Sequence, residues 1–481
     1  MAIVAPQGRQ PLSADALLRL VRTGFANLPD QRGGEAERSC TDVLMSACAM
    51  CALTSPSLLA FDKPRAEGHV RTIDGIERVP CDTPRRERLD PVSPESLHPL
   101  FTRVFRQLQR GQALEPRVCL DDHDWLSLDG TGYFAATMMH GASCLHKTPR
   151  HGRVTYAHQM WGAAMVHPDV REVIPLMPEP LVTQDGTDNH DGERHAAKRF
   201  MTKWRQDHPH RTCIVTEESL SANAPHLETR QAHHLHSMLG VNAGDHALLC
   251  HQVQVAEPAG RVTDDTRHAR TAGLVHGVRL VNDVPLHDSK AGVRVNGMED
   301  WERGQDKVQH CSWVTDVRVH QRHVFRLMRG GRARWKMEPE TVHPLQHHGD
   351  HFEHHDGPGQ QHRSVVCARL MMRAFVVDQT QQLGGAVLQT VWAKLGSQRL
   401  LWERRRALFD DEALESMRPR LAALCDGLEK PPPSFALESS SSRHRCLLRP
   451  RSIESGDPPQ SGESMPHSRE ESAGNKISCD V

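Results

Sequence analysis

At 481 residues, 38% of them hydrophobic and with a mean hydropathy of -0.56, the chain can hold two or three domains and a core that needs no disulfide staples. Its formal charge of -1 argues against a uniformly basic nucleic-acid binder but leaves room for local basic faces. The 13 cysteines are scattered and odd in number, which argues against a complete disulfide framework and for a reducing, cytoplasmic compartment. Cys48-Ala-Met-Cys51 has no second ligand pair at zinc spacing and reads as two small apolar residues on a helix. The 33 histidines against 2 tyrosines place polar rings where aromatic residues would pack better. That imbalance reads as mutational decay of a once-functional sequence, with metal binding by histidine as the rival explanation.

Residues 1–115 read as a helical N-terminal domain of a kind that could bind DNA. Ser13 offers an N-cap ahead of Leu17, Leu18 and Val21, a stripe of 3.6-residue period. A second helix is expected over 40–53 and a third over 94–110, the latter with Leu97, Leu100, Phe101, Val104, Phe105 and Leu108 on one face. Residues 80–88, rich in Pro and Arg, read as a connector. The apolar run over 43–59 is broken by Ser, Thr and Pro, so a buried helix is expected there and no membrane span. The N-terminal apolar stretch is too short for a signal peptide.

From 118 the period becomes that of strands, at 118–120, 125–128, 154–166 and 172–176. A helix over 196–206, a strand over 213–216, a helix over 224–234 and a strand over 235–241 follow. Strands interleaved with helices predict an α/β sheet. Short strand-like pieces between Gly and Asp turns mark 245–320 as a β-rich insertion. Helical patterns resume at 324–345, 365–383 and 386–408, completing a second domain over 116–430. The Ser-, Glu- and Pro-rich residues 431–481 cannot bury enough apolar area to fold.

Three acids stand out. Asp129 follows Trp125-Leu-Ser-Leu and precedes Gly130-Thr131-Gly132, where the chain can turn away and leave the carboxylate at a sheet edge. Glu218 follows the strand Ile214-Val215-Thr216, and its neighbour Glu217 should point to the other side. Glu338 lies four residues after Arg334, so both project from one helix face. Carboxylates from separate strands and a helix, converging on hard cations, build two-metal phosphoryl-transfer sites. The plainer alternatives are a surface Asp-Gly turn, solvated acids at a strand end and a solvated Arg/Glu helix face.

With their surroundings, Trp-Leu-Ser-Leu-Asp129-Gly-Thr-Gly, Cys-Ile-Val-Thr-Glu-Glu218-Ser-Leu and Arg329-Gly-Gly-Arg-Ala-Arg-Trp-Lys-Met-Glu338, these acids resemble those of DDE transposases of bacterial insertion sequences, over roughly residues 12–435. The resemblance implies an RNase H-like mixed sheet with a β-rich insertion and C-terminal helices. It also implies Mg²⁺ or Mn²⁺ held by Asp129, Glu218 and Glu338, and double-stranded DNA (the element ends) as partner to a homodimer. Arg334 would hold a phosphate or orient Glu338. Arg329, Arg332 and Lys336, with Arg326, form a basic cluster for DNA, and Arg399, Arg404, Arg405 and Arg406 form a second.

Two departures stand against the family pattern. Gly331 occupies a place where the family often has an aromatic residue, and Glu218 stands where it has Asp. The extra methylene moves the carboxylate by roughly an ångström, and an error of about 1 Å can cost on the order of a hundredfold in rate. Strand cleavage and transfer are therefore expected to be impaired. An inactive DNA-binding relic is the alternative. The dense run His347-His348-Gly-Asp350-His351-Phe-Glu353-His354-His355-Asp356 offers a histidine-rich metal-binding protein as a third reading.

Overall fold

The computed structural model describes residues 12–29, 39–55, 61, 76–77, 79–138, 144–147, 153–182, 189–242, 247–268, 275–287, 290, 292–303, 308–347, 359–397, 400–401, 403–405, 407 and 424. The described residues all fall within one compact unit, Met1–Leu428. The tail expected over 431–481 and the histidine-rich run from 348 to 356 lie outside the described residues.

Helices α1 (Ala14–Ala26), α2 (Cys40–Ala52), α3 (Asp82–Leu89) and α4 (His98–Arg110) come first. Ser13 and Ser39 cap α1 and α2, their hydroxyls accepting the Ala16 and Asp42 N–H groups at 3.4 and 3.1 Å. Helix α3 occupies the stretch that reads as a connector. Its Pro84 falls in the first turn, where backbone N–H groups have no helical partner, and Arg86 pairs with Asp82 at 2.6 Å.

Strands β1 (Asp124–Ala136), β2 (Leu145–Lys147), β3 (Thr155–His167), β4 (Val170–Pro175) and β5 (Glu179–Pro180) follow. Helix α5 (Asn189–Asp207), β6 (Cys213–Glu217), α6 (Ala224–Ala232) and β7 (His236–Gly240) then alternate. After α7 (Ala247–Ala256) come β8 (Val262–His268), β9 (Val275–Pro285), β10 (Arg294–Arg303) and β11 (Val308–Thr315). The described strands join in one mixed sheet, ordered β2-β3-β1-β6-β7-β11-β10-β9-β8, with β4 and β5 also pairing β3. Among them β1–β6 and β6–β7 are parallel and the other pairings antiparallel. The two parallel joints are where helical crossovers, α5 and α6, return the chain to the same end of the sheet.

Two expectations are revised in this part of the chain. Within 245–320, otherwise β-rich, α7 places Leu249 and Ala256 against Val281, Val284, Val295 and Val314. The Gly-Thr-Gly after Asp129 does not turn away. Strand β1 runs on to Ala136 with a register shift between Gly132 and Phe134.

The helix expected over 324–345 is broken into four pieces. Helix α8 (Val324–Arg332) passes into a 3₁₀ turn (Ala333–Lys336), a π turn (Glu338–Val342) and α9 (His343–His347). Pro339 and Pro344 lack the N–H groups that an uninterrupted α-helix would use, and the wider π turn accommodates the loss. Helix α10 (Arg363–Gly384) follows, then α11 (Ala386–Leu395), which stops at Gly396 in the left-handed conformation (φ +63°); the described residues from 400 to 407 are helical again, so the helix expected over 386–408 is interrupted at this glycine.

Alternation along β1 divides the core. Trp125 faces one side with Ala164, Val166 and Ile214, covered by Val324, Leu327 and Met328 of α8. Leu126 and Leu128 face the other, covered by Ala197 and Phe200 of α5, Phe105 of α4 and Phe375 of α10. Helix α10 is buried on both flanks, since its Val366, Leu370 and Ala374 belong to the core of α1 and α2. No helix of the described residues is long and apolar enough to cross a membrane.

Helix α8 approaches β1 closely because Gly330 has no side chain; a Cβ there would run into the Trp125 indole. Gly330→Ala is therefore expected to destabilise the fold by about 1–3 kcal/mol through overpacking, read as a lowered urea midpoint. An unchanged midpoint would show that α8 does not depend on this contact.

Candidate functional site

The last parallel register pair of β1 and β6 is Ser127 with Thr216. Two residues on along each chain stand Asp129 and Glu218, so the period of two puts both carboxylates at one level on one face. Separated by 89 residues in sequence, they meet because β1 and β6 are neighbours. Asp129 pairs across β3 with Gly162, whose missing side chain leaves room for Met337; a Cβ there would lie 2.7 Å from Met337 Cε.

Arg334 lies between the two acids. Its Nη1 is 3.0 Å from Glu218 Oε1 and 3.8 Å from Asp129 Oδ2, and the side chain is 8% exposed. Ser127 Oγ donates to the Arg334 carbonyl at 3.3 Å, seating the 3₁₀ turn over the strand. The guanidinium also lies over the ring of exposed Trp335, 4.3 Å from its centroid. Glu338 is exposed, with no hydrogen bond or ion pair to a described residue, and it falls where the 3₁₀ turn gives way to the π turn. Among the described residues no group of three or more His, Cys, Asp or Glu could hold a metal ion.

Burial, and then the charge of Glu218, push the Asp129 carboxyl up to about 7; Arg334 opposes this and Glu193 adds to it. Glu193, on α5, escaped the reading of the sequence. It reaches Asp129 from the opposite layer because Gly130 leaves a gap that its carboxylate fills. Glycine after Asp129 was the available signal, and it serves this close approach instead of a turn.

Glu217 points away from Glu218, as strand alternation predicts. Fully buried, it pairs with the Arg230 guanidinium and with His226 Nε2 at 2.9 Å. Burial alone would raise its carboxyl, but Arg230 and His226 hold it down at about 2. This pair ties the end of β6 to α6, next to Glu218.

The basic residues expected to meet DNA are mostly engaged inside the fold. Lys336 Nζ donates to the carbonyls of His167, Pro168 and Val170 at 2.7, 2.9 and 2.8 Å, clasping the β3–β4 turn. Arg332 reaches Glu302 at 2.6 Å and the buried Asp300 at 2.8 Å. Arg329 pairs with Asp169, and Arg326 with Asp121 at 3.8 Å, both on the surface. In the second basic group Arg405 is buried against Asp378 at 2.9 Å, Arg404 is exposed, and Arg399 and Arg406 lie outside the described residues. At Gly331 even a Cβ would press on Met238, 2.9 Å away, so the aromatic residue often found there in the resembling family has no room.

No protein-family model matches the chain, and no curated protein does.

The raised Asp129 carboxyl gives a pH signature. Its contribution to stability is complete below the ordinary 3.8 and is lost as pH rises through about 7. Asp129→Asn, which cannot ionise, should therefore melt above the wild type at pH 8, with the gap narrowing as pH falls and closing only below about 3.8. A gap independent of pH would contradict this electrostatic picture.

Proposed function

We propose that the chain is a DDE-type transposase with an RNase H-like core, acting on double-stranded DNA ends and impaired in strand cleavage. The observation that carries this reading is the meeting of Asp129 and Glu218 at one level on adjacent parallel strands, with Arg334 between them. The RNase H-like reading draws support from the mixed run β3-β1-β6-β7, extended by the antiparallel β11-β10-β9-β8.

The family implies Mg²⁺ or Mn²⁺, and the residues fit that demand incompletely. Asp129 and Glu218 supply hard oxygen donors, but a guanidinium lies between them and Glu338 stands apart. The chemistry open to the chain's own residues is narrower. A carboxyl that titrates near 7 can take a proton from a hydroxyl nucleophile, and Arg334 has further N–H groups to offer a phosphate oxygen. The same guanidinium between the acids favours the second reading, a DNA-binding relic without cleavage.

Arg326 and Arg329 are the cations of the basic segment best placed to exchange partners for phosphate. Exposed ion pairs are worth only about 0–1 kcal/mol, so a DNA phosphate can displace Asp121 or Asp169. Arg329→Ala is expected to lower the slope of log affinity against log salt by about 1 for terminal-repeat DNA, without changing the melting temperature. Lys336→Ala should instead lower the melting temperature, because three carbonyls lose their donor. The reverse pattern would assign Lys336, and not Arg329, to DNA.

Cleavage of terminal-repeat DNA with Mg²⁺ or Mn²⁺ tests the activity itself. Glu218→Asp should raise turnover by about tenfold or more by restoring the shorter arm, and Asp129→Ala should abolish it. Wild-type turnover equal to that of Glu218→Asp would refute the impairment. If neither cuts while the wild type still shifts this DNA in a gel, the relic reading stands; if neither cuts nor shifts it, the DNA reading fails.

A further inference from the structure

We propose that Arg334 is the site's own counter-cation, competing with a divalent ion for Asp129 and Glu218 and so setting the affinity of this acid pair for metal. The inference rests on reading the pair as a metal-binding pair. A divalent ion needs the same carboxylate oxygens at about 2.0–2.6 Å, and two cations cannot share that space. Arg334 holds its place from several sides: Ser127 fixes its carbonyl, the adjoining Lys336 is clasped by three carbonyls, and Trp335 covers the guanidinium.

The residue type at 218 follows from the same contact. Glu218 reaches the guanidinium at 3.0 Å, and an aspartate, shorter by roughly an ångström, would fall short of it. Glu therefore favours the arginine-bound state, whereas Asp would leave the acids freer for metal. Glu193, which fills the gap at Gly130, adds its negative charge beside Asp129, so an incoming cation is still attracted. The exposed Trp335 marks the way out to solvent, where Arg334 would meet a DNA phosphate. A phosphate that draws Arg334 away then strengthens metal binding, and by linkage metal strengthens binding of that phosphate.

The test is calorimetric titration of the full chain with MnCl₂. Arg334→Gln should bind Mn²⁺ about tenfold more tightly than wild type, Arg334→Lys should stay close to wild type, and adding Asp129→Asn to Arg334→Gln should remove binding. Equal or weaker binding by Arg334→Gln, still lost with Asp129→Asn, would overturn the competition while leaving the metal pair intact. Absence of binding in every variant would overturn both. Should Arg334→Gln fail to fold, Mg²⁺ titration of the wild type can be followed by tryptophan fluorescence, with Trp335→Phe as the reference. A saturable change confined to Trp335 is expected as the guanidinium leaves its ring. No such change, under conditions where calorimetry detects Mn²⁺ bound by the wild type, would equally refute the proposal.

Discussion

The parallel pairing of Asp124–Ser127 with Cys213–Thr216 is the constraint on which the candidate site depends. It brings two acids from distant parts of the chain to one level, and a slip of one residue would send one of them to the opposite face. Buried charge holds the register at both ends. Arg211 pairs with the buried Asp124 where the two strands begin, and Arg230 and His226 pair with Glu217 where β6 ends. Such pairs add little net stability over apolar packing, yet breaking one leaves an uncompensated charge and costs about 3–5 kcal/mol. They therefore act chiefly against wrong registers.

Charge around the site is largely neutralised from within. The segment from Val324 to Val342 carries many cations, but its deeper ones serve the fold: Arg332 satisfies Asp300, Lys336 closes the β3–β4 turn, and Arg334 spans the acids. Arg326 and Arg329 form the exposed rim of this segment, in surface ion pairs with Asp121 and Asp169. A formal charge near zero agrees with this, since a chain that spends its cations on internal carboxylates presents a modest field to solvent.

Glycine does more at this centre than the sequence suggests. Gly130 admits Glu193, Gly162 admits Met337, and Gly330 admits Trp125, each a close approach of another layer to the middle of the sheet. These contacts place the irregular segment beyond α8 directly over β1. After Arg332 the helix tightens into the 3₁₀ turn, and Pro339 and Pro344 keep a regular α-helix from resuming over the π turn that follows. Arg334 and Glu338, four residues apart, consequently do not share the regular face that their spacing predicts.

Local order was legible in the chain because local forces write it. Ser13 capping, the apolar face of residues 94–110, the strands on either side of Asp129 and Glu218, and the opposite orientation of Glu217 all follow from periods of 3.6 and 2. The alternation of strand and helix likewise carried the mixed α/β class. Tertiary structure alone decided that α3 and α7 are helices, that β1 continues past its glycines, and that Glu193 joins Asp129 while Glu338 stays exposed. It also decided that Lys336 and Arg332 turn inward. Each of these outcomes turns on partners far away in the chain or on the packing of neighbouring layers, and no window of consecutive residues contains that information.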